Sequence, residues 1–323
     1  MLQLSVIIPT FCRKVTLVKV LENLNLQQGI DQRDVEIVVA DDGSTDGTAE
    51  AVRCWSATSQ MRILFSPSAE NRGPAHARNR AVSIASGRIL LIMGDDIVPA
   101  SDLLVRHMHW HEANPAEGDA LLGRVMWPRN PPPTPFMHWL ASDGRTYFLN
   151  YPEVSGPVAA DRFYTCNVSL KKALMVRGGG FDEAFSRASH EDIELGLRLS
   201  RQCGMHLYYD PDSVGYHDHR LSFPSAFRRI YFMGYSSVVF WSTVGEGGSV
   251  TRRALRRVMR TVGSLRLLRR IVIPLVGRIE TILWPPVWRA FLSAAYWFGS
   301  ADAVLGRPAL PPGDGSECPS LVK

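Results

Sequence analysis

The chain has 323 residues, 46% hydrophobic and 21% charged, which supplies a real core and excludes wholesale disorder. Its formal net charge of +5 is unevenly spread: residues 251–300 hold ten arginines against one acid, Glu280, a net +9, while 26 bases and 30 acids share the rest. The length corresponds to one large or two ordinary domains. Five cysteines (Cys12, Cys54, Cys166, Cys203, Cys318) without CxxC spacing argue against a zinc module and a disulfide framework, and fit a reducing cytosol.

The opening MLQLSVIIPTF lacks the basic and long apolar regions of a signal peptide. The most apolar stretch, Ile271–Phe298, is broken by Arg278, Glu280, Arg289 and three prolines. It reads as a segment lying in a membrane interface rather than one crossing it.

The first 127 residues alternate strands and helices. Leu4–Ile8 is a short apolar strand ending at Pro9, and Lys14–Leu26 has helical spacing with Leu17, Val20, Leu21 and Leu24 on one stripe. Val35–Ala40 is a second strand, cut by Asp41-Asp42-Gly43-Ser44, and a helix follows over Asp46–Trp55. Met61–Phe65 is a third strand. Gly73-Pro74 opens a helix running through Ala85, with proline at the tolerated first position. Arg88–Met93 is a fourth strand, ending at Gly94-Asp95-Asp96. Strands that are apolar runs, alternating with helices, predict an α/β fold with a mostly parallel, Rossmann-like sheet covered on both faces.

Trp127–Pro135 is a stiff linker. A short helix, a loop-rich patch, a strand-like run at Cys166–Leu170, the Gly178–Gly180 turn and a helix over Glu191–Gln202 follow. Residues 206–216 read as one or two strands and 224–241 as an apolar, aromatic helix. Residues 252–270 place Leu255, Val258, Met259, Val262 and Leu265 opposite five arginines, a basic amphipathic helix. The tail from Pro308 is expected to be disordered.

Ligands of open α/β sheets sit at the carboxyl ends of the strands. Three polar clusters fall there: Pro9-Thr10, Asp41-Asp42-Gly43-Ser44 and Gly94-Asp95-Asp96. Each also reads as a turn or helix cap. Two adjacent acids after an apolar strand need neutralising, and a hard divalent cation held by carboxylates and substrate phosphates does this. Tyr216-His217-Asp218-His219 puts two imidazoles on one strand face, a ligand pair or a structural one. Of His107, His109 and His111, only His107 and His111 share a helix face.

Taken together, Ser5–Thr10, Asp41–Thr48, Asn71–Ala75 with Ala77–Asn79, Leu90–Asp96, Asn167, Gly180–Glu183 and Glu191–Leu195 resemble a family-2 glycosyltransferase of the GT-A, nucleotide-diphospho-sugar transferase fold. The resemblance covers roughly residues 3–220. It implies a nucleotide-sugar site built from Pro9, Thr10, Phe11, Arg13, Asp42, Arg78 and Asp95. It also implies a divalent metal, Mg2+ or Mn2+, on Asp96 and Asp95 with His217. Gly94 stands where the family's metal motif has its first acid. Asp192 is implied as the general base, with Glu191 beside it; both also suit a helix N-terminus through its dipole.

The expected domains are a GT-A catalytic domain over 1–222, a helical extension over 223–307 and a tail over 308–323. Within the first, 1–127 is the nucleotide-sugar half and 128–222 the acceptor half. The implied activity is inverting transfer of a sugar to an acceptor hydroxyl in polysaccharide, lipopolysaccharide or glycolipid biosynthesis, on a sugar or lipid-linked acceptor. Residues 252–298 would either hold the protein peripherally on the anionic cytoplasmic face of the cell membrane or pack on the catalytic domain with the arginines as a solvated face. No nucleic-acid module is recognisable. The rival readings are a non-catalytic nucleotide-sugar-binding protein and a nucleotidyltransferase of similar fold; the second lacks its glycine-rich phosphate loop.

Overall fold

The computed structural model describes residues 2–143, 151–185, 189–244, 272–273, 275–276 and 284–310. The predicted basic helix at 252–270 and the tail beyond 310 lie outside them. Two compact units form. One holds the chain up to Pro131 plus Tyr151–His219; the other takes over at Pro132 and again at Arg220.

The first unit is built on one nine-stranded sheet. Its first half follows the predicted alternation: β1 (Leu4–Thr10), α1 (Lys14–Asn25), β2 (Val35–Asp41), α2 (Thr48–Ser56), β3 (Arg62–Pro67), α3 (Pro74–Ile84) and β4 (Ile89–Met93). These four strands pair in parallel in the order β3-β2-β1-β4. β2 and β4 are buried at every position, because helices cover both faces; β3, at the edge, is exposed at both ends. The α1 stripe of Leu17, Val20, Leu21 and Leu24 is fully buried.

The second half is mixed. β5 (Ile97–Pro99), α4 (Leu103–Ala113), β6 (Asp119–Met126), β7 (Gly156–Val158), β8 (Asn167–Lys171), α6 (Lys172–Arg177), α7 (Glu191–Cys203) and β9 (His206–His217) continue the chain, with α5 (Pro135–Asp143) in the other unit. β8 runs antiparallel to β4, pairing Met93 with Asn167, and β5 runs antiparallel to β9, pairing Ile97 with His217. β9 is one strand of twelve residues, interrupted opposite Gly123/Arg124, where partners jump from Asp210 to Val214. Pro211 lies in that jump, and proline cannot donate to a ladder. This explains why residues 206–216 read as one strand or two.

The second unit packs α5, α8 (Phe223–Val244) and α9 (Pro285–Val304). Phe136 meets Phe223 and Trp288 edge-on, each at 5.3 Å between ring centroids. α8 and α9 touch backbone to backbone: a Cβ on Gly234 would sit 1.9 Å from the Tyr296 carbonyl oxygen, and one on Gly299 equally close to that of Tyr231. The wholly buried Asp302 accepts a 2.6 Å hydrogen bond from the Tyr231 hydroxyl. Among the described residues no helix is long and apolar enough to cross a membrane.

Candidate active site

Parallel register aligns the strand ends: Thr10 pairs with Asp41, and Ile7 with Ile92 just before Gly94. Asp95 and Asp96 turn back immediately into β5, whose pairing with β9 brings His217 alongside. The backbone N–H of Asp218 donates to the Asp96 carbonyl at 2.7 Å and locks that corner. The candidates Thr10, Arg13, Asp95, Asp96 and His217 thus meet, although more than 200 residues separate the first from the last.

Their contacts form one chain. The Thr10 hydroxyl donates to Asp95 Oδ2 at 2.8 Å. Arg13 Nη1 reaches Asp95 Oδ1 at 3.2 Å and Asp96 Oδ2 at 2.5 Å. Asp96 Oδ2 lies 3.4 Å from His217 Nε2, and the His217 ring packs 5.2 Å from Trp127. Burial pushes the Asp95 carboxyl up to about 6, against the pull of Arg13. Burial also pushes Asp96 up, but His217 and Arg13 outweigh it and hold this carboxyl well below its ordinary range.

Gly94 has its own steric role. A Cβ there would lie 2.7 Å from Asp96 Oδ1 and 3.2 Å from Ile97 Cγ1, so the missing side chain makes room for the Asp96 carboxylate.

The two carboxylates are oxygen donors of the kind that a hard divalent ion takes. Among the described residues no three carboxylate, imidazole or thiol groups enclose an ion by themselves. Water and donor phosphates would complete its shell, as they commonly do for Mg2+.

Pro9 and Phe11 lie partly exposed at the same strand end. Asp42 is buried and accepts from the backbone N–H groups of Arg72 (3.1 Å) and Gly73 (2.7 Å), holding the entrance to α3. Burial nevertheless raises its carboxyl above the usual range.

The second cluster lies at the start of α7. Arg78, expected at the nucleotide, is turned to Glu191: Nη1 donates to Oε1 at 2.7 Å, and both side chains are over nine-tenths buried. The Arg78 guanidinium also sits 5.3 Å from the centre of the Phe181 ring. Asp192, the second residue of α7, accepts from Ile193 N–H at 2.8 Å through Oδ1. Burial, then the charge of Glu191, pushes its carboxyl up to about 7. The Cys166 thiol, pushed up to about 12 by burial first, is within electrostatic reach of both Asp192 and Asp96.

Cys12 (φ 50°) and His190 (φ 67°) are the described non-glycine residues with positive φ, and each immediately precedes a candidate, Arg13 or Glu191. Such backbone costs about 1–3 kcal/mol and clusters at functional sites.

Sequence reasoning missed two supports. Asn79 clamps the Gly178–Glu183 turn through paired bonds with the Phe181 backbone (2.9 and 2.8 Å) and a third to Glu183. His107 and His111 share the Ser169 hydroxyl, at 2.7 and 2.9 Å, and His107 also meets Asn167 Oδ1 at 3.0 Å. Their i, i+4 spacing was the available signal; the partner on β8 was not.

A family description, "Glycosyl transferase family 2", matches residues 5–174, more than half of the chain. Validoxylamine A glucosyltransferase of Streptomyces hygroscopicus subsp. limoneus is 34% identical over 220 residues, 61% of this chain and 47% of that protein. The chain spans about half the length of the curated relatives it matches at this identity. Among solved structures, the mannosyltransferase PcManGT from Pyrobaculum calidifontis, in complex with GDP-Man and Mn2+, superposes with a TM-score of 0.59 at 21% identity. It covers 95% of this chain and 88% of its own. Staphylococcus aureus TarS 1–349 gives 0.54 at 16% identity, covering 95% and 92%. At such identities the likeness speaks for the fold, which is the GT-A fold. The match over residues 5–174 and the strand-end geometry agree: the chain belongs to glycosyl transferase family 2.

Proposed function

We propose that the chain moves a sugar from a nucleotide-diphosphate donor to an acceptor hydroxyl, with inversion at the anomeric carbon. The observation that carries this reading is the meeting of the Asp95–Asp96 pair with Arg13 and His217; an Asp192 whose carboxyl is raised to about 7 supports it. A base works best when its pKa lies near the working pH.

In this reading Asp192 takes the proton of the acceptor hydroxyl. The acceptor oxygen bonds to the anomeric carbon as the bond from that carbon to the diphosphate oxygen breaks, and the nucleoside diphosphate departs. Glu191 and Arg78 act through Asp192: the first keeps its pKa high, the second neutralises the first. Pro9, Thr10, Phe11 and Asp42 shape the nucleotide side. Asp96, Asp95 and His217 would hold Mg2+ or Mn2+, which offsets charge on the leaving diphosphate. The Mn2+ bound to the mannosyltransferase neighbour supports that choice.

The acceptor is proposed to be a sugar or lipid-linked glycan, within polysaccharide, lipopolysaccharide or glycolipid assembly. Association with an anionic membrane rests on the arginine-rich 251–300 window and on Trp241, Trp284 and Trp297, which are 51%, 60% and 40% exposed. Release of nucleoside diphosphate from a panel of nucleotide sugars, with and without Mn2+, tests the proposal. Release of pyrophosphate would favour a nucleotidyltransferase, and no turnover with any donor would favour a binding protein.

A further inference from the structure

Three of the four carboxylate oxygens that would grip a metal are already engaged by Thr10 and Arg13. A single guanidinium nitrogen, Arg13 Nη1, lies 3.2 Å from Asp95 Oδ1 and 2.5 Å from Asp96 Oδ2. Asp96 Oδ2 is also the oxygen that faces His217 Nε2 at 3.4 Å. A divalent ion takes such oxygens at about 2.0–2.1 Å, and an Arg13 nitrogen 2.5 Å from Asp96 Oδ2 crowds it there by sterics and like charge.

We infer that Arg13 is a built-in counter-ion that holds the cation's place on Asp95 and Asp96 until a donor arrives, and that metal entry requires Arg13 to swing onto the donor's diphosphate. This rests on the metal-assisted transfer proposed above and adds an order to it.

The charge balance points the same way. Two carboxylates with Arg13 leave a net −1. A divalent ion added beside a retained Arg13 makes the corner +1, with two cations sharing the same oxygens. An incoming diphosphate relieves that excess, and a guanidinium fork suits phosphate oxygens.

The mobility is also correctly divided. The Arg13 side chain is 34% exposed on a flexible stem, whereas those of Asp95 and Asp96 are 9% and 13% exposed. The Thr10 hydroxyl holds Asp95 at 2.8 Å through Oδ2, the oxygen that Arg13 does not use. The departing group is the arginine, and the carboxylates remain in place for the ion.

The test is Mn2+ binding to the full chain, read by loss of the free-ion electron paramagnetic resonance signal at pH 7.5. Arg13→Gln and Arg13→Met are expected to bind Mn2+ alone at least about tenfold more tightly than wild type, a typical coupling between linked sites. Both should lose most of the gain in Mn2+ affinity that UDP or GDP confers on wild type. Arg13→Lys, which keeps the charge, should stay within about threefold of wild type. Melting curves verify folding and a nucleotide-only control subtracts Mn2+ chelated in solution; should both neutral variants unfold, Arg13→Ala is read in their place with the same expected gain of about tenfold in binding Mn2+ alone.

Neutral variants that bind Mn2+ no better than wild type overturn the inference and leave the metal reading standing. So does equal wild-type affinity with and without nucleotide. Failure of every protein to bind Mn2+, even with nucleotide, overturns both.

Discussion

Replacing Glu191 by Gln keeps the shape of a buried side chain and removes one charge. Glu191 is 3% exposed, its Oε1 accepts from Arg78 at 2.7 Å, and its Oε2 has no hydrogen-bond partner among the described residues. Two consequences follow. Arg78 becomes an uncompensated buried cation, a change that costs about 3–5 kcal/mol. Asp192 loses the like charge that, after burial, is the largest cause of its rise to about 7. A unit charge at 4 Å is worth about 4 kcal/mol at an effective dielectric of about 20. Arg78 pulls on Asp192 alike in both proteins, and burial accounts for more of the rise from 3.8 to about 7 than Glu191 does, so we expect the loss of the Glu191 charge to lower Asp192 by about one pK unit, roughly 1.4 kcal/mol. The assay is kcat/KM for nucleoside diphosphate release between pH 5 and 9. Wild type should show an acid limb bending near pH 7, because the base works only when deprotonated. Glu191→Gln should bend about one unit lower while its Tm falls by several degrees. An acid limb that stays in place in the folded variant would refute the assignment of Asp192 as the titrating base.

Gly94→Ala places a methyl group against Asp96 Oδ1; kcat/KM should drop at least about tenfold with little change in Tm, and an unaffected kcat/KM would count against a role for the Asp96 rotamer. His107 is buried and lowered to about 4 by that burial, against about 6.5 in an unfolded chain. It stays neutral when folded and takes up a proton when unfolded, so its contribution to stability is lost as pH falls from 6.5 towards 4. His107→Gln should therefore lose less Tm than wild type between pH 6.5 and 4.5; equal losses would contradict this. Replacing Arg252, Arg253, Arg256, Arg257 and Arg260 by Gln should abolish flotation with phosphatidylglycerol vesicles while nucleotide binding persists, and unchanged flotation of that variant would refute the basic window as the membrane contact.

The sequence was most legible where the physics is local. Parallel strands buried on both faces must be continuous apolar runs, so β1, β2 and β4 could be read directly. Their polar ends at Thr10, Asp42 and Asp95 then marked the ligand edge. The α7 run Ile193, Leu195, Leu197, Leu199 also alternates like a strand; its buried set, Glu191, Glu194, Leu195 and Leu199, has the helical spacing. What could not be read depends on distant pairing. Arg78 meets Glu191 across 113 positions, and neither residue type names the other. The six-residue α6 and the three-residue β5 and β7 are too short to carry a period. The sheet turns mixed at β8 because its antiparallel partners are assigned by packing, not by the apolar run.

The account stands on sugar transfer with Asp192 as base and Asp96 at the diphosphate. The most direct measurement is nucleoside diphosphate release, with Mn2+ and a donor panel, by wild type, Asp192→Asn and Asp96→Ala, with nucleotide binding followed in parallel. The account predicts turnover by wild type, a loss of at least about 100-fold in Asp192→Asn with nucleotide binding retained, and loss of both metal response and turnover in Asp96→Ala. Full activity in Asp192→Asn would contradict it.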